Sequence, residues 1–91
     1  MRIVRITVRG RVQGVGFRDW VARRARALEL AGWVRNRSDG SVEIIAAGEP
    51  HAVEPLLEAA RNGPPFARVT EVEVEDAQGE VPTGFERRPT L

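Results

Sequence analysis

The hydrophobic period changes across a glycine-rich break near the amino terminus, and that change limits the fold more than any other feature of the chain. From Ile3 to Val8 apolar and polar residues alternate, with Val4, Ile6 and Val8 on one face and Arg5, Thr7 and Arg9 on the other. A period of two is that of a half-buried strand. Beyond Gly10, Gly14 and Gly16 the apolar residues recur at helical spacing as Phe17, Val21, Ala25 and Leu28, while Arg23, Arg24, Arg26 and Glu29 fall mostly off that stripe. The spacing predicts an amphipathic helix from Phe17 to Ala31, stopped by Gly32.

The same alternation of elements then repeats. Trp33 to Arg37 and Val42 to Ala47 are short β-type runs, and Ser38-Asp39-Gly40 between them has the turn chemistry of a hairpin, so these strands should pair antiparallel. A second helix is expected from about Ala52 to Arg61 on the stripe Val53, Leu56, Leu57 and Ala60, with Pro55 tolerable only in its first turn. Asn62-Gly63-Pro64-Pro65 ends it. Strict alternation resumes from Arg68 to Glu75, with Thr70, Val72 and Val74 on one side, and Phe85 to Arg88 reads as a short edge strand.

The order is therefore βαββαβ. Strand–helix–strand crossovers within one sheet are right-handed in about 98% of cases, which puts both helices on one face of an antiparallel sheet: a ferredoxin-like α+β sandwich. The open face should carry Arg5, Thr7 and Arg9 beside Glu71, Glu73 and Glu75, opposite charges that favour neighbouring strands. With 91 residues there is room for a single domain, residues 1–91.

Composition narrows the chemistry. No run approaches the roughly 18 apolar residues of a membrane span, and no secretory signal opens the chain, so a cytoplasmic protein without membrane contact is expected. The sequence contains no cysteine and a single histidine, His51 beside Pro50, which reads as a solvated residue. Thiolate nucleophiles and cysteine-ligated metals are excluded. Fourteen arginines against thirteen acids leave a net charge of +1, too weak a field to argue for nucleic acid. Glu71, Glu73, Glu75 and Asp76 are explained by facing arginines, and no metal-ligand spacing occurs.

The chemistry points to Gly10–Trp20. A glycine-rich turn between a strand and a helix is where backbone N–H groups can converge on an anion. Its spacing matches neither the Walker loop nor the dinucleotide fingerprint, and a purely structural turn also explains the glycines. Arg18 adds a cation beside the positive end of a helix, which is unfavourable by roughly 0.3–1 kcal/mol unless an anion sits between them. The guanidinium has other outlets too: solvent, Asp19 or another acid. Gln13 is a second donor to such an anion or a polar loop residue facing water, and Trp20 and Trp33 read as packing residues.

The stretch GRVQGVGFR followed by GWVRNRSDGSVE resembles the acylphosphatase family, small ferredoxin-like hydrolases of acyl phosphates. The likeness runs from about Ile3 to Thr90 and includes Gly63-Pro64-Pro65 followed by Ala67 to Val69. It implies hydrolysis of a carboxyl–phosphate anhydride, with the phosphate-binding loop on Arg11, Val12, Gln13, Gly14, Val15 and Gly16, the catalytic arginine on Arg18 and a water-orienting asparagine on Asn36. It also implies a small-molecule substrate, no metal or other cofactor, and a monomer. One departure lies at Phe85-Glu86-Arg87-Arg88, where the family often has an apolar residue at the third position.

Two other functions share this layout. An RNA-binding module would stack bases on sheet aromatics, but the predicted strands carry no such aromatic pattern. An acylphosphatase-like domain without physiological turnover could act as an anion sensor or a partner-binding piece; larger hydrogenase-maturation proteins include such a domain at their N-terminus, and a hydrolysis assay separates this reading from the enzyme.

Overall fold

A computed structural model describes residues 1–91 as β1 (Arg2–Arg11), α1 (Phe17–Ala27), β2 (Ala31–Asn36), β3 (Val42–Gly48), α2 (Pro50–Asn62), β4 (Arg68–Asp76) and β5 (Phe85–Arg87). The sheet order is β4-β1-β3-β2-β5, the ferredoxin-like arrangement expected from the βαββαβ pattern. The first four strands pair antiparallel, but β5 runs parallel to β2 and makes the sheet mixed.

Register shows how alternation builds the core. Val4, Ala46 and Gly32 form one row across the sheet, Ile6, Ile44 and Val34 a second, and Val8, Val42 and Asn36 a third. These rows meet Phe17, Val21, Ala22 and Ala25 of α1 and Val53, Leu56, Leu57 and Ala60 of α2, all buried. Each large apolar side chain so buried contributes about 1.5–3 kcal/mol. The opposite face pairs Arg5 with Glu75, Thr7 with Glu73 and Arg9 with Glu71 in register, as the charge pattern predicts.

Three local expectations are corrected. The first helix ends at Ala27 rather than Ala31, and Gly32 belongs to β2. Glu29 takes the left-handed conformation (φ 59°), Glu29 N–H donates to Arg26 C=O at 3.0 Å and Leu30 N–H to Ala25 C=O at 2.9 Å. That is a Schellman stop made without glycine. Gly32 is needed for another reason: a Cβ there would lie 1.9 Å from the Ile45 carbonyl oxygen.

Pro55 sits inside α2, beyond its first turn, where it removes the N–H that would have bonded to His51; Pro50 supplies the favourable proline at the helix start. In β4 the alternation slips at a bulge, because Arg9 faces Glu71 while Gly10 faces Val69. Thr70 is the extra residue, so Val69 and Val72 pack on the core, Thr70 is exposed, and Val74 is 36% exposed.

Candidate active site

Strand direction assembles one end of the molecule. β1 and β2 both pair antiparallel with β3, and β5 runs parallel to β2, so all three strands end at the same edge. The loop after β1, the start of α1, Asn36 at the end of β2 and Arg87 at the end of β5 therefore converge. They line a cavity of about 100 Å³ formed by Val12, Gly14, Gly16, Phe17, Arg18, Asp19, Asn36 and Arg87. Since a single water needs about 10–15 Å³ of such space, several polar groups of a small ligand fit.

The loop backbone is unusual in its donors. None of the N–H groups of residues 12–19 donates a hydrogen bond within the protein; the one backbone bond here is Trp20 N–H to the Gly16 carbonyl at 3.1 Å. Gly16 is the N-cap of α1 in a left-handed conformation (φ 77°, ψ 17°) and offers no side chain to cap the first turn. A Cβ on Gly14 or Gly16 would meet nothing within 4 Å, so the space over this stretch is open. Consecutive unpaired N–H groups at a helix start carry the positive end of the dipole and form an anion-binding concavity.

Arg18 adds a full charge. Its guanidinium donates to the Arg88 carbonyl oxygen at 3.2 Å and pairs with no carboxylate, and the adjacent Asp19 pairs instead with Arg87. Of the outlets open to Arg18 in the sequence, Asp19 is thus taken. Asn36 shares the helix-side face of β2 with Val34, its backbone carbonyl accepts from Leu91 N–H at 3.1 Å, and its side-chain amide makes no hydrogen bond within the protein.

Of the loop residues singled out in the sequence, Val12, Gly14 and Gly16 line the cavity with Arg18 and Asn36. Arg11 is the exposed last residue of β1, opposite Arg68, and Val15 leans on the core. The Gln13 side chain is half-buried and turns to the neighbouring hairpin, where its amide donates to the carbonyls of Arg37 and Ser41. Arg87 was not anticipated as a site residue, and its position in the departing Phe85–Arg88 segment was the only hint. The hairpin behind the site is fixed by Asp39, whose carboxyl is held down to about 2 by the Ser41 hydroxyl and N–H, with a smaller contribution from Arg9. No group of three or more His, Cys, Asp or Glu side chains is placed to hold a metal ion.

Fold and cavity together define a ferredoxin-like sandwich with a cationic, donor-rich pocket at the end of its sheet. The Acylphosphatase family model matches residues 4–87. An acylphosphatase of Acidiphilium cryptum is 57% identical over 81 residues, 89% of either chain, and one of Rhodospirillum rubrum is 44% identical over the full length of both. The crystal structure of the Bacillus subtilis acylphosphatase superposes with a TM-score of 0.92 at 46% identity, covering 97% of this chain and 99% of that one. This chain also resembles 12% of full-length HypF, at 26% identity and a TM-score of 0.90. The chain belongs to the acylphosphatase family and is an enzyme of that class.

Proposed function

We propose that the N–H groups of residues 12–18 and the Arg18 guanidinium hold the phosphoryl group of an acyl phosphate while Asn36 holds the water that attacks phosphorus. The water oxygen forms a new bond to phosphorus, the bond from phosphorus to the acyl oxygen breaks, and its electron pair leaves with the carboxylate. The water's protons pass to phosphate oxygen or solvent. A carboxylate, whose conjugate acid has a pKa near 4, leaves without a general acid, so no histidine is required.

Phosphoryl transfer is governed by positioning and by stabilising charge on the equatorial oxygens. Oriented N–H donors and a bidentate guanidinium supply that stabilisation. Asn36 cannot serve as a base, but its amide offers both a donor and an acceptor to a water. Residues 1–91 then act as one domain, a cytoplasmic monomer working on a small-molecule substrate without metal, cofactor, nucleic acid or membrane.

The observation that carries this reading is the run of unpaired N–H groups from Val12 to Asp19 in a cavity that also holds a guanidinium with no acid partner and an amide with no hydrogen bond. Hydrolysis of benzoyl phosphate in ¹⁸O-water tests it. The label is expected in inorganic phosphate; label in benzoate would mean attack at the acyl carbon and would overturn the assignment.

A further inference from the structure

Gln13 is the one polar loop side chain whose observed role differs from both roles its sequence suggests. Its Nε2 donates to the Arg37 carbonyl at 2.8 Å and to the Ser41 carbonyl at 2.9 Å. A primary amide has two N–H hydrogens, so both are committed. The two acceptors lie at the two ends of the β2–β3 turn: Arg37 N–H donates to Ser41 C=O at 2.9 Å, and Gly40 N–H donates to Arg37 C=O at 3.1 Å. Ser41 is itself held, since Asp39 accepts from its N–H at 2.9 Å and its hydroxyl at 2.6 Å.

Arg37 directly follows Asn36. Residues 12–16 donate no backbone hydrogen bond, so the Gln13 amide is the only hydrogen-bonded link between the loop and the strand end that carries Asn36. We propose that Gln13 is a positioning residue: its amide fixes the distance between the phosphoryl cradle and Asn36, and hence the place of the attacking water relative to phosphorus. This rests on the function proposed above. The cradle and Arg18 belong to the start of α1 and do not need the hairpin to bind phosphate, whereas in-line attack does. A misplacement of about 1 Å costs about 100-fold in such steps.

The test compares wild type, Gln13→Met, Gln13→Glu, Asn36→Ala and the double variant Gln13→Met/Asn36→Ala, reading kcat with benzoyl phosphate and the Kd of inorganic phosphate. In Gln13→Met, kcat is expected to fall about 10–100-fold while Kd changes less than about threefold. That loss should vanish in the Asn36→Ala background, because residues acting as a unit are not additive. Gln13→Glu presents only acceptors to two carbonyls when ionised and regains one donor on protonation, so its kcat relative to wild type should recover as pH falls toward about 5.

A Gln13→Met kcat within about twofold of wild type overturns the proposal, as does an undiminished loss in the Asn36→Ala background. If the methionine variant does not fold, the glutamate ratio decides alone: recovery supports the tether, and a flat ratio overturns it. Full turnover in Asn36→Ala would instead remove the site reading itself, and the tether with it.

Discussion

Gly10 and Gly14 look alike in the sequence, yet the structure assigns them different physical reasons, which a pair of alanine variants separates. At Gly10 (φ 122°) a Cβ would lie 2.2 Å from the Arg68 carbonyl oxygen and 2.8 Å from Thr70 N, both backbone atoms at the β4 bulge. Ordinary contact begins near 3.4 Å, so β4 would have to move by about an ångström or give up its pairing there. Overpacking of that kind costs about 1–3 kcal/mol, and an L-residue at such a φ adds about 1–3 kcal/mol. At Gly14 (φ 73°) nothing lies within 4 Å, leaving only the left-handed penalty of about 1–2 kcal/mol. A 91-residue domain has roughly 5–14 kcal/mol of stability in all. Gly10→Ala should therefore lose about 2–6 kcal/mol in urea unfolding, and Gly14→Ala no more than about 2. Equal losses in the two variants would refute the argument that close approach, rather than loop conformation, requires Gly10.

Two further outcomes follow from the charged side chains. Because the Asp39 carboxyl is depressed from an ordinary 3.8 to about 2, its contribution to stability is complete above its ordinary pKa and is lost as pH falls through about 2. Urea midpoints measured between pH 5 and 2 should accordingly drop less steeply in Asp39→Asn than in wild type, and parallel profiles would contradict this. Glu43, only 3% exposed, accepts a hydrogen bond from Arg35 at 2.8 Å and forms ion pairs with Arg5 and Arg37, each at 3.1 Å, on the open face. Glu43→Gln leaves these guanidiniums to partly solvated positions and should cost about 1–3 kcal/mol in the same assay, with wild-type values refuting a net role for the cluster.

Much of the fold was legible because burial on one face imposes a period. Val4, Ile6 and Val8 identify β1, and the stripe Val53, Leu56, Leu57 and Ala60 identifies the buried side of α2. What could not be read was settled by tertiary contact. Gly32 looks like a helix stop, but the helix had already ended through Glu29, and the glycine answers to Ile45 across the sheet. The bulge that turns Val69 inward depends on β1 pairing, and the parallel pairing of β5 on Gly32 and Val34 is invisible in three residues.

The site shows the same division. Gly14, Gly16 and Arg18 lie within one short stretch and suggested an anion cradle by themselves, whereas Asn36 was singled out only through the family resemblance. The partners of Gln13 lie 24 and 28 residues away and those of the Asp19–Arg87 pair 68, so periodicity carries no trace of them.

One guanidinium and one amide at the end of the sheet are proposed to perform the reaction without metal. Steady-state hydrolysis of benzoyl phosphate in EDTA by wild type, Arg18→Ala and Asn36→Ala, with folding of each checked by urea unfolding, tests this proposal most directly. Wild-type turnover should survive EDTA, and kcat should fall at least about 100-fold in each folded variant. Full turnover in a folded Arg18→Ala protein would contradict it.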